Sequence, residues 1–205
     1  MKLILAALAL LTAGPAGATQ EYVLPTLFSV TGVAADDVLN VRAKPSASAE
    51  TISSFAPDRQ DIEVVAHDAS GGWAQVNVDG RSGWVSLRYL AYQVGVWDEG
   101  RLPRTFHCVG TEPFWSLTLD DGDVVYATPE VPKRRYRLDA VLASGVFRDP
   151  RRALVARGQD GRLTASVTTA ACSDGMSDRV YGLDVSLIRE NGAPELLRGC
   201  CSIAP

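Results

Sequence analysis

The densest group of chemically capable side chains lies at residues 172–179, which read Cys-Ser-Asp-Gly-Met-Ser-Asp-Arg. Asp174, Asp178 and Arg179 could line a site for a small ligand or a peptide, together with Glu112 and Trp115. The two aspartates could also act as a carboxylate pair in acid–base hydrolysis. We favour a structural role, in which a disulfide tethers the loop, Asp174 forms a turn, Asp178 caps backbone N–H groups, and Arg179 pairs with a carboxylate such as Glu112.

Soft metal ligands are a further possibility in the same region. Met176, Cys172 and His107 could suit copper, because thiolate and thioether ligands select Cu(I). The chain has only two histidines and no C-x-x-C pair. Oxidation of the cysteines would remove the thiolates that such a site needs. We therefore expect no metal and no cofactor, and a periplasmic copper-binding protein stays as an alternative.

Residues 1–18 have the features of a secretory signal peptide. Lys2 supplies the positive charge, Leu3–Leu11 is an uninterrupted apolar run, and Ala16-Gly17-Ala18 is a small-residue cleavage site. The apolar run is shorter than the about 20 residues that a membrane helix needs. We expect cleavage after Ala18, no stable membrane insertion, and a periplasmic or secreted protein.

The net charge argues against nucleic acid as a partner. The chain has 20 Lys and Arg against 24 Asp and Glu, which gives a net charge of −4. No stripe of basic residues stands out, and nucleic-acid binders need one to contact phosphates.

The four cysteines all lie in the second half of the chain, at positions 108, 172, 200 and 201. An even number of cysteines in an exported chain favours disulfides. A bridge between adjacent Cys200 and Cys201 would be strained. If residues 196–203 form a strand, these two side chains point to opposite faces and can reach different partners. We favour Cys172–Cys200 with Cys108–Cys201, and the reverse pairing stays open.

The patterning predicts an all-β chain in two units. After a lead-in at residues 19–26, residues 27–91 contain about five short strands with a hairpin turn at Asp79-Gly80, which fits a small barrel. Residues 92–104 form a linker that packs Trp97 on a neighbouring unit. Residues 105–205 contain about six strands, which predicts a disulfide-stabilised β-sandwich or half-open barrel. The basic run at residues 133–137 is typical of a solvated strand edge.

The first unit carries a recognisable set of motifs. These are Leu39-Asn40-Val41-Arg42 with Pro45, Trp73-Ala74-Gln75-Val76, Gly80-Arg81-Ser82-Gly83-Trp84-Val85 and Tyr89-Leu90. Their order resembles that of bacterial SH3 domains, which implies a small β-barrel that targets an exported protein to the cell wall. Trp73 and Tyr89 could stack on sugar or peptide, and Arg42 could pair with the carboxylate of a peptide stem. Packing or solvent exposure is the alternative role of each.

The second unit shows a different pattern, G-x-E-P-F-W from Gly110, C-x-D-G-M-S-D-R-x-Y from Cys172 and L-x-G-C from Leu197. It resembles an uncharacterised family of bacterial envelope proteins and lipoproteins and, more distantly, META-type β-domains. The resemblance implies no activity.

These observations predict a non-enzymatic envelope protein. Its SH3-like unit would bind peptidoglycan or an envelope protein, and its second unit would have a ligand that the sequence does not identify. The rival is a cell-wall hydrolase, acting as a catalytic or accessory protein, with its reaction in residues 105–205. That half has His107 as its only histidine, which disfavours the rival.

Overall fold

The computed structural model describes residues 22–146 and 149–204. The predicted signal peptide at residues 1–18 lies outside the described residues. Within them the chain forms fifteen β-strands and one short 3-10 turn. No helix in this part of the chain has both the length and the apolar character that crossing a bilayer requires.

The first seven strands form one antiparallel sheet. Their bounds are β1 Thr26–Val30, β2 Leu39–Arg42, β3 Thr51–Phe55, β4 Ile62–His67, β5 Trp73–Val78, β6 Arg81–Ser86 and β7 Leu90–Tyr92, with the 3-10 turn at Leu87–Tyr89. The strand order is β3-β2-β6-β5-β4-β1-β7. Alternate residues such as Val64, Val76 and Val85 are fully buried and form the core. Asp79 and Gly80 have positive φ angles, as the tight β5–β6 hairpin requires.

The other eight strands close into a barrel. Their bounds are β8 His107–Thr111, β9 Phe114–Asp120, β10 Asp123–Ala127, β11 Arg134–Ala143, β12 Arg152–Gly158, β13 Gly161–Cys172, β14 Tyr181–Asn191 and β15 Ala193–Ser202. Alternate side chains point inward, and Tyr126, Tyr136, Leu154 and Leu183 are among those that are almost completely buried. Such side chains fill the interior, as is usual for a small barrel.

The predicted all-β class is confirmed. The second unit is a barrel, which is one of the two forms expected for it, and it is closed and not half-open, because β15 pairs with β8. Closure also corrects the expectation of a basic strand edge. Arg134 and Arg135 lie on β11, which pairs with β10 at these two residues and with β12 from Arg137 onward, so β11 is an interior strand of the barrel. Arg134 forms an ion pair with Asp160, and Arg135 forms one with Asp120.

Candidate functional site

Three candidate residues of the first unit line one groove. Arg42, Trp73 and Tyr89 border a depression of about 510 Å³. Trp73 begins β5 and lies opposite Ser86 of β6. Arg42 ends β2, and Tyr89 lies in the 3-10 turn that follows β6. The fold therefore brings two aromatic rings and a cation together from three separate segments.

A second cation, which the sequence analysis did not single out, completes this groove. Arg88 is exposed, and its guanidinium carbon lies 4.5 Å from the centre of the Tyr89 ring. Its Nη2 donates a hydrogen bond of 2.7 Å to the Tyr89 hydroxyl. These contacts hold the Tyr89 ring in place and keep a positive charge beside it. The only feature of the sequence that could have indicated Arg88 is its position directly before Tyr89.

Arg42 has a structural task as well as a place in the groove. Its Nη1 donates to the carbonyl of Ala49 at 2.7 Å and to the hydroxyl of Thr51 at 3.2 Å. These bonds fix the connection between β2 and β3. Both use the same nitrogen, and within the described residues the rest of the guanidinium makes no hydrogen bond. The groove thus offers two guanidinium groups and two aromatic faces, which suits a ligand with carboxylates and flat apolar surfaces.

Asp174 in the loop between β13 and β14 has its carboxylate fully engaged. Oδ1 accepts the N–H groups of Met176 and Ser177 at 3.0 and 2.9 Å. Oδ2 accepts the hydroxyls of Ser177 and Tyr181 at 2.8 and 3.1 Å. Burial alone would raise the pKa of Asp174, but these hydrogen bonds to the charged form hold it below the ordinary value. Asp174, and not Asp178, therefore binds the backbone N–H groups of this loop.

The same loop, residues 173–180, joins the two units. The carbonyl of Asp178 accepts the N–H of Ser82 at 2.8 Å. The side-chain amide of Asn77 donates to the carbonyl of Val180 at 2.8 Å and accepts the Val180 N–H at 3.0 Å. On the barrel side, the hydroxyl of Thr111 donates to the carbonyl of Asp174 at 2.9 Å. The polar segment that suggested a ligand site in the sequence is thus a connector, which we call the connector loop.

The structure does not bring Glu112, Trp115 and Arg179 into one site. Glu112 is exposed in the β8–β9 turn, and no ion pair joins it to Arg179 among the described residues. Trp115 is 3% exposed and stacks on Tyr126 inside the barrel, with ring centres 6.2 Å apart. The Arg179 guanidinium carbon lies 5.4 Å from the centre of the Tyr181 ring.

The cysteines form the pairs Cys108–Cys201 and Cys172–Cys200, which is the pairing that we favoured from the sequence. The thiolate that the copper alternative needs at Cys172 is therefore consumed in a disulfide. His107 Nδ1 lies 3.0 Å from the carbonyl of Thr105, and Met176 is 70% exposed. Among the described residues, no group of three or more His, Cys, Asp or Glu side chains is arranged to hold a metal ion.

The segment between the units is held firmly at Trp97. Its indole N–H donates to the carbonyl of Pro25 at 2.7 Å. Arg152 of the barrel lies under the ring, 5.2 Å from its centre, and donates to the Trp97 carbonyl at 2.9 Å. Trp97 thereby ties the start of the first unit to the barrel, as the sequence predicted for this residue.

Comparison with known families concerns the first unit. Residues 37–91 match the family model of the bacterial SH3 domain. The match runs from just before β2 into β7 and includes Arg42, Trp73 and Tyr89. Comparisons with curated proteins and with solved structures gave no match. The resemblance of residues 105–205 to an envelope family stays a prediction.

Proposed function

We propose that this chain is an extracytoplasmic, non-enzymatic binding protein whose SH3 unit recognises the peptide stems of peptidoglycan. The observation that carries the proposal is the convergence of Arg42, Trp73 and Tyr89 on one groove, within the segment that matches the bacterial SH3 domain. The match of the first unit to this family suggests a role in binding the cell wall or a protein. The groove chemistry favours the cell wall.

The argument for a peptide stem is chemical. Peptide stems carry free carboxylates, and Arg42 and Arg88 place two guanidinium groups at the groove. Guanidinium–carboxylate pairs are among the stronger hydrogen-bonded contacts in proteins. The rings of Trp73 and Tyr89 provide flat surfaces for the small apolar side chains of the stem or for a neighbouring sugar.

The disulfides support an exported location. Both bridges together use all four cysteines of the chain. Disulfides persist in oxidising compartments and are rare in the cytosol. The barrel then serves as a rigid support, to which the connector loop and Trp97 attach the SH3 unit.

Substitution of residues that line the groove tests this function. We expect Arg88→Ala and Tyr89→Ala each to weaken binding of soluble peptidoglycan fragments at least about 10-fold, because each removes a charge-assisted or stacking contact. Isothermal titration calorimetry on the full chain measures the change. Arg162→Ala is the matched control, since Arg162 is exposed on the barrel, and it should leave affinity unchanged.

Two binding results would overturn the proposal. One is that the intact chain binds neither soluble fragments nor sedimented sacculi, in which case a protein partner becomes the better candidate. The other is that the three variants bind alike. A separate incubation of the chain with sacculi is expected to release no soluble fragments, and release of fragments would show that the protein is a hydrolase.

A further inference from the structure

Glu63 is a buried carboxyl group at the contact between the two units. It lies on β4 of the SH3 unit and is 4% exposed. Its Oε2 accepts a hydrogen bond from the hydroxyl of Ser202, at the end of the last barrel strand. The backbone N–H groups of Ile203 and Ala204 also face it. A carboxyl group of one unit is therefore enclosed by the chain end of the other.

Few charged groups surround this carboxyl. Arg179 of the connector loop lines the same small cavity of about 40 Å³, as do Arg59 and Asp61, which precede β4. Arg179 forms no ion pair with Glu63 among the described residues, although its positive charge lowers the pKa of this carboxyl group. The strands beside β4 contribute apolar residues, with Leu27 opposite Glu63 and Val76 opposite Val64. Glu63 Oε1 and Arg179 Nε are both buried without a hydrogen-bond partner.

We propose that Glu63 is a proton-operated latch, which holds the SH3 unit on the barrel in acid and loosens this contact as the carboxyl group ionises. The geometry that carries the proposal is the position of an acidic side chain at a junction where, within residues 22–146 and 149–204, no cation forms an ion pair with it. Neutral Glu63 fits this environment, because a charged carboxylate buried without an ion-pair partner is costly.

The titration behaviour agrees with this geometry. Burial raises the pKa of Glu63 from 4.5 to about 7, although the Ser202 hydrogen bond, the nearby backbone N–H groups and the positive charge of Arg179 each lower it. If the units separate, the carboxyl becomes hydrated and regains its ordinary pKa. Below pH 4.5 it is protonated in both forms, so the contact is at its tightest. Between pH 4.5 and about 7 only the separated form ionises, and the contact weakens progressively. Above about pH 7 it stays at its weakest.

Hydrogen exchange at the connector loop measures how readily the contact between the two units opens. The N–H groups of Ser82 and Val180 are bonded across the contact. We expect their protection factors, corrected for intrinsic exchange, to fall on the order of 50- to 100-fold between pH 5 and pH 8 in the full chain. In Glu63→Gln, which is neutral at every pH, protection should be high and independent of pH. The exposed Glu50→Gln is the matched control and should behave like the unchanged protein.

A second variant keeps the test decisive if Glu63→Gln does not fold. Ser202→Ala removes the hydrogen bond that favours the charged form, so the midpoint of the transition should move to higher pH. Carbon-13 NMR of labelled glutamate follows the carboxyl directly. An unchanged pH dependence in Glu63→Gln, or an equal fall in protection at amides inside β13 and β14, would overturn the proposal. Loss of peptidoglycan binding would leave this test unaffected, because the latch and the groove involve different residues.

Discussion

Replacement of Gly199 by alanine is expected to destabilise the barrel by about 3 kcal/mol or more. An added Cβ atom would lie 2.2 Å from the carbonyl oxygen of Val109 and 2.8 Å from Cζ2 of Trp115. The first contact is with the backbone of β8, so only a shift of the strand can relieve it. The pairing of β15 with β8 closes the barrel and consists of just three positions, so a shift of either strand would disrupt much of it. Hydrogen exchange of the barrel amides measures the loss.

Gly110 provides a comparison in which the obstacle is a side chain. Its added Cβ atom would lie 2.0 Å from Nε1 of Trp115, and the next two closest atoms also belong to that ring. In a Trp115→Ala background, which removes the whole indole, Gly110→Ala should lose most of its additional cost, whereas Gly199→Ala should keep most of its cost, because its shortest contact is with the backbone of Val109. Gly72→Ala is the control, since its added Cβ atom meets only the exposed Ser70 hydroxyl at 3.2 Å. Equal rescue of both glycine variants would contradict this account.

These two glycines leave the space that the indole of Trp115 occupies. Gly110 and Gly199 flank the indole on two adjacent strands, and the ring occupies the space that their side chains would take. Alternation along β9 correctly indicated a strand at this tryptophan. It did not show that the inward face was the interior of a closed barrel, because closure depends on pairing between β8 and β15, which are far apart in the chain.

Three residues of the groove could be singled out from the sequence because the signals for them are local. Arg42, Trp73 and Tyr89 belong to short motifs whose spacing within strands and turns places them, and the family match covers all three. Glu63 and Asn77 were missed because their partners are remote. The bond from Ser202 to Glu63 spans 139 residues, and the bonds between Asn77 and Val180 span 103. A polar residue inside the β-branched run at residues 62–66 was the only signal of Glu63.

The connector loop shows how a polar cluster that resembles a ligand site can hold two units together. Asp174 uses both carboxylate oxygens to hold the loop, and the loop then presents the backbone of Asp178 and Val180 to the SH3 unit. Turn-forming residues and ligand-binding residues share the same side-chain types, so composition alone cannot separate the two roles. What separates them is the number of hydrogen-bond sites already occupied, which only the fold determines.

Removal of the Cys108–Cys201 disulfide is expected to cost about 4.5 kcal/mol of barrel stability, against about 3.5 kcal/mol for Cys172–Cys200. The first bridge joins residues 93 positions apart and the second joins residues 28 apart, so the first restricts the unfolded chain more. It also links the two strands whose pairing closes the barrel, since Cys108 and Cys201 are paired opposite each other on β8 and β15.

The two bridges can be compared directly with alanine at both ends of each, which leaves no unpaired thiol from the deleted pair. Barrel unfolding in urea should be followed through amides of β14, because the SH3 unit can unfold separately. Cys108 and Cys201 are completely buried whereas Cys172 is half-buried, so lost packing adds to the cost at the first bridge. A smaller loss for the Cys108/Cys201 variant than for the Cys172/Cys200 variant would show that residual structure in the unfolded chain, and not the length of the closed loop, decides the contribution of each bridge.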